Sequence, residues 1–162
     1  MSDDPTALEG EDEAWIGQFH LYTFHSLTLA DRRIERRELV WIKRFFHQRD
    51  QGHLYDQLLQ IIENDDLDPA ELEVLVERAR LELSAADKRR FIYNLAQLCK
   101  SKGKISSEEY TNILDIAGRV GVEDTEADSI INSVFSINDS FTAIMGLLAL
   151  GVILYFTQPV IV

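Results

Sequence analysis

Apolar residues recur at helical spacing along most of the chain, and no period-two alternation persists long enough to set up a strand. Trp15, Phe19, Tyr22 and Leu29, with Ile16 and Leu27 beside them, predict a first helix. Leu39, Ile42, Phe45 and Phe46 predict a second over roughly residues 35–49, and Leu54, Leu58, Ile61 and Ile62 a third over 53–63. Asp68-Pro69-Ala70-Glu71 supplies an N-cap, a proline at the first helical position and a carboxylate at N3, which starts a fourth. Ser84, with Asp87 three residues on, starts a fifth. Ser106-Ser107-Glu108-Glu109 starts a sixth that ends between Gly118 and Gly121, and residues 124–135 make a short seventh. The expected fold class is all-α, a bundle of about seven helices.

The pattern changes character at Ser140. From there to Val162 run 23 residues without a charge, enough for the roughly 20 apolar residues that a bilayer core requires of a helix, with Tyr155 and Phe156 where an interfacial aromatic belt would lie. This predicts a transmembrane helix over 138–158. Thr142, Gly146 and Ala149 fall on one stripe of it, small enough for a neighbouring helix to approach closely. A bundle domain over 13–136 is then tethered by a C-terminal anchor, and residues 1–12, acidic and poor in residues to bury, read as a disordered lead-in. The first residues lack the basic start and apolar run of a secretory signal, so the bundle is expected in the cytoplasm, with the C-terminus across an inner (cytoplasmic) membrane.

Sixteen basic residues stand against 28 acidic ones, a formal net charge of −12, and the charge is laid down in blocks. Residues 1–14 hold six acids and no base, whereas 15–50 hold seven bases and four acids, and 84–104 hold six bases and one acid. Such blocks give a domain basic and acidic faces, which can orient it against an anionic surface or a charged partner. Two clusters are the candidate contact residues: Arg32, Arg33, Arg36 and Arg37, and Lys88, Arg89 and Arg90. Each gathers positive charge at a helix N-terminus, where the macrodipole disfavours it by about 0.3–1 kcal/mol per exposed charge. Nucleic acid is excluded as a partner, because the chain is acidic and the clusters lack the interleaved aromatics of a stacking platform. Integral membrane proteins and anionic lipid headgroups suit them better.

Ala30-Asp-Arg-Arg-Ile-Glu-Arg-Arg-Glu-Leu39 and Ser101-Lys-Gly-Lys-Ile-Ser-Ser-Glu-Glu-Tyr110 share a turn, an Ile and a Glu at an offset of 71 residues. Each joins a long apolar helix to an amphipathic one, so the bundle is expected to contain two repeated helix-turn-helix units with their turns close together. Used twice in an all-helical domain of this length, the pattern resembles the TerB-like domain, named for a tellurite-resistance protein and similar to the membrane-proximal part of certain membrane-bound DnaJ-like co-chaperones. The resemblance implies an acidic cluster for a divalent metal, carried here by Asp31, Glu38 and Glu109. The fourth position is Lys102, an ammonium where a cation would need oxygen ligands. No metal is therefore expected. Two readings remain for these carboxylates. Lys102 sits against Asp31 and Glu38 as an internal ion pair replacing a metal bridge, or Glu38 and Glu109 serve as N3 caps of their helices, Ser106 supplying the other half of a capping box.

The remaining constellations are weak. His20, His25, His47 and His53 lack the paired spacing of a zinc site and read as surface or core-edge histidines. Asn64-Asp65-Asp66-Leu67-Asp68 has Pro69 where a calcium loop needs Gly and Leu75 where it needs Glu. Cys99, the single cysteine, lies in the apolar pattern of Phe91, Ile92, Leu95 and Leu98 and reads as core. No phosphate loop, nucleotide fingerprint or nucleophile elbow occurs, so no cofactor and no enzymatic reaction is expected. The expected function is that of a tail-anchored accessory or scaffold subunit of a bacterial inner-membrane assembly. A metal-binding stress protein of the tellurite-resistance type is one rival, and an enzyme with an unrecognised site another.

Overall fold

The structure, a computed structural model of the chain, describes residues 5–29 and 34–136, with side chains from Ala14 onward. All regular structure among these residues is helical. Six helices, α1 (Pro5–Thr28), α2 (Arg36–His47), α3 (Gly52–Asn64), α4 (Pro69–Glu82), α5 (Ala85–Ser101) and α6 (Ser107–Val120), are followed by α7 over 124–136.

The C-terminal half of α1 is the axis of the bundle. Phe19, Leu21, Phe24 and Leu27 are fully buried although they point to different sides, because α2, α3, α4, α5 and α6 all pack against this helix. A helix that is apolar all round must be covered all round. Its polar residues turn back on their own backbone: Thr23 donates to the Phe19 carbonyl at 2.7 Å and Thr28 to that of His25 at 3.0 Å. Phe19 stacks on Phe91 of α5 with ring centroids 4.3 Å apart, and Phe24 meets Phe45 of α2 edge-on at 5.0 Å, so aromatic contacts tie α1 to two neighbours.

Local chemistry sets the boundaries. Asp68 accepts from the Ala70 N–H at 2.9 Å ahead of Pro69, Ser84 accepts from the Asp87 N–H, and Ser106 from that of Glu109, each at 3.2 Å. These caps satisfy donors that a helix start leaves without an intrahelical partner. Helix α6 stops at Gly121, whose φ of +85° lies in the left-handed region, and the Val122 N–H bonds back to the Ala117 carbonyl at 2.8 Å. Helix α7 buries Ala127, Ile131 and Val134; the Tyr110 hydroxyl of α6 donates to Asp128 and Lys100 of α5 to the Val134 carbonyl.

Three expectations are corrected. Residues 5–12, expected within a disordered lead-in over 1–12, are described as the first turns of α1, because a helix held by the buried stretch after Trp15 gains one hydrogen bond for each further residue added. His20 and His25 are buried, at 9 % and 1 % exposure, not surface residues, since α1 has no outer face there. Leu29 lies beyond the helix end and is 38 % exposed. No helix among the described residues is long and apolar enough to cross a membrane. The expected span over 138–158, with Thr142, Gly146 and Ala149, lies outside the described residues.

Candidate functional site

Lys102 closes α5 as its C-cap, and Gly103 then reverses the chain at a φ of +99°. The turn carries the Lys102 ammonium between two helix starts. Its side chain is 3 % exposed, with Nζ 2.8 Å from Oε1 of Glu109 on α6 and 3.7 Å from Oε1 of Glu38 on α2. The other oxygen of each carboxylate caps its own helix: Glu38 Oε2 accepts from the Glu35 N–H at 2.7 Å, and Glu109 Oε2 from the Ser106 N–H at 2.8 Å. Capping and ion pairing occur together because a carboxylate has two oxygens, and the pair described joins Lys102 to Glu109 and Glu38, where the sequence suggested Asp31 and Glu38. Burial and the neighbouring Glu109 push the Cys99 thiol well up, partly offset by Lys102, so the sulfur stays protonated. Asp31, the third carboxylate of the expected cluster, lies outside the described residues.

The basic clusters are divided by helix geometry. Arg32 and Arg33 lie outside the described residues. Arg36 and Arg37 are exposed on the first turn of α2 and, with Arg44 two turns on, border an open hollow of about 640 Å³ floored by Ile34, Val40 and Trp41. Lys88 instead donates to the Arg80 carbonyl at 2.7 Å, filling an acceptor at the end of α4, and Arg89 pairs with Glu126 of α7. Arg90 faces elsewhere. Consecutive residues on a helix point about 100° apart, so a run of three charges need not make one surface.

Arg90 borders a second cleft, of about 360 Å³, between α1, the α2–α3 turn and α5. Its inner wall is polar. His20 bonds through Nδ1 to the Ile16 carbonyl at 2.8 Å, which makes Nδ1 the donor and leaves Nε2 to accept from Asn94 Nδ2 at 3.3 Å. Burial brings the His20 pKa down to about 4, so the ring is neutral at physiological pH. Arg49 enters from the turn, its Nη1 donating to the Phe45 carbonyl at 2.8 Å and its guanidinium lying over the Phe45 ring, 3.6 Å from the centroid. The hydrophobic pattern of the chain does not mark this cleft. Its one available signal was polar Asn94 and His20 inside otherwise apolar helical runs.

These arrangements hold and orient groups. His20 is engaged by a backbone carbonyl and an amide, and Cys99 is buried beside Glu109, so neither presents a nucleophile with its base toward a cavity. What the described surface offers is exposed positive charge at two places, the open hollow of α2 and the cleft beside α5. Compared with protein-family models, with curated proteins and with solved structures, the chain matches none.

Proposed function

We propose that the chain is a membrane-anchored accessory or scaffold subunit: a TerB-like bundle with paired helix-turn-helix units, held at an inner membrane by a helix over 138–158, and acting by binding. The observation that carries this reading is the 23-residue uncharged run from Ser140 to Val162, directly after an acidic helical domain. The α2 hollow supports it. Exposed Arg36, Arg37 and Arg44 around half-buried Trp41 suit acidic groups on a membrane protein or anionic headgroups, with the indole available at an interface. The divalent-metal alternative is disfavoured by Lys102, which occupies the oxygens of Glu38 and Glu109 that a metal would need.

The test is co-purification of the full chain from native membranes in mild detergent, beside a Gly146→Leu variant. The expected result is a stoichiometric set of membrane subunits with the native chain and their loss with the variant, which stays inserted because leucine adds bulk at the contact without lowering hydrophobicity. Recovery of the chain in the soluble fraction, or a tight site for calcium, magnesium, manganese or zinc by calorimetry, would overturn the reading.

A further inference from the structure

The cleft beside α5 has no part in the membrane reading, and its chemistry is specific. Arg49 and Arg90 reach it from different elements, and among the described residues neither guanidinium forms an ion pair. They are near enough for the charge of Arg90 to add to burial in lowering the pKa of Arg49. Two cations held together with neither in an ion pair leave an excess of positive charge that an anion relieves. Arg49 is fixed in advance by the Phe45 carbonyl and ring, so little side-chain freedom is lost when its remaining N–H groups take up a ligand. Asn94, 9 % exposed, spends one amide hydrogen on His20 Nε2 and has a second to offer.

The ligand's charge and body follow from the other walls. Asp87 stands at the rim with its Oδ2 engaged by the Ser84 hydroxyl at 2.5 Å, which leaves one negative charge against the two arginines. The balance matches a monoanion and repels a second charge. Ile16, Leu83 and Phe91 make up the apolar wall, and about 360 Å³ falls in the range of small-molecule sites. We propose that this cleft binds a small monocarboxylate with a compact apolar or aromatic body, its carboxylate between Arg49, Arg90 and the Asn94 amide.

The test titrates the full chain, in non-ionic detergent, with benzoate and phenylacetate, with their uncharged amides, and with inorganic phosphate, by calorimetry and by amide shifts in NMR. At least one carboxylate is expected to saturate one site with a Kd of roughly a millimolar or tighter, in line with a ligand of this size, and its amide to bind at least about tenfold more weakly. Arg90→Gln, on the exposed face of α5, should weaken carboxylate binding by about tenfold while leaving the melting temperature in place, and Lys104→Gln, at an exposed lysine in the α5–α6 turn that does not line the cleft, should change nothing. Arg49→Gln should weaken binding at least as much; Arg90→Gln decides the matter if that variant does not fold. Equal binding of acid and amide, no saturable site for either carboxylate, or tighter binding of phosphate than of both would each overturn the proposal.

Discussion

Lys102 Nζ lies 2.8 Å from Glu109 Oε1 across the α5–α6 turn, and the same ammonium lies 3.7 Å from Glu38 at the start of α2. One cation therefore joins the two turns. Desolvating three charges offsets much of their attraction, so the cluster adds little net stability over an apolar core; removing one member is a different matter, because it strands buried charge of one sign.

Lys102→Met should thus lower stability by about 3–5 kcal/mol, because it removes the ammonium that the buried Glu38 and Glu109 carboxylates share. Urea unfolding followed by far-ultraviolet circular dichroism measures it. Adding Glu109→Gln to Lys102→Met should restore part of the loss by removing one stranded charge, although the amide caps Ser106 less well. A loss below about 1 kcal/mol for Lys102→Met would show that the ammonium does not bear on the buried carboxylates.

Acid should weaken the fold through His20. Its folded pKa of about 4 lies below the ordinary 6.5, so the unfolded chain takes up the proton first. The stability it contributes is present above pH 6.5 and is lost as pH falls toward 4, at about 1.4 kcal/mol per pH unit. His25, held neutral by burial, shifts in the same direction with Asp65 opposing. Comparing urea midpoints at pH 7 and pH 5 for the native chain and His20→Gln should show a smaller pH loss in the variant. An unchanged slope would mean that His20 does not carry it.

How far the pattern of residues reveals the fold differs from one helix to the next. Helices α4, α5 and α6 begin where Asp68, Ser84 and Ser106 mark them, because a cap is a local interaction between residues two or three apart. The centrality of α1 is not visible that way. Spacing places Trp15, Phe19 and Tyr22 on one side, but whether Leu21 and Phe24 are also covered depends on how many helices surround them, a property of the assembled bundle. The site divides similarly. That Glu38 and Glu109 belong together follows from the 71-residue repeat, whereas the dispersal of Lys88, Arg89 and Arg90 to three environments depends on which neighbour each meets.

Two glycines three residues apart should respond to alanine with opposite signs. Gly118 sits in the exposed interior of α6, where a would-be Cβ meets only Asp124 Oδ1 at an ordinary 4.0 Å, so Gly118→Ala should stabilise by about 0.5–1 kcal/mol through reduced freedom of the unfolded chain. Gly121, at a φ of +85°, ends the same helix, and Gly121→Ala should cost about 1–2 kcal/mol in backbone strain although no close contact arises. Thermal melts of the two variants test the left-handed C-cap directly. A matched sign would place the end of α6 elsewhere.

The arginines of α2 make the last prediction. Arg36 and Arg37 stand exposed at N1 and N2 of α2, where the helix dipole disfavours them, and neither has a carboxylate partner among the described residues. Their removal should therefore leave stability unchanged or raise it by a few tenths of a kcal/mol each. Association is where a loss is expected. Replacing Arg32, Arg33, Arg36 and Arg37 by Gln should weaken binding to vesicles containing phosphatidylserine, and recovery of associated membrane subunits, by about 1 kcal/mol per charge near the surface. Raising ionic strength from 0.01 to 0.15 M, which shortens the screening length from about 30 to 8 Å, should weaken the native chain toward the variant. Because the anchor would hold every version in a membrane, the vesicle arm uses a chain ending at Ser136. Equal vesicle binding and equal subunit recovery at low salt would assign the cluster to solvated surface and leave recognition to the anchor.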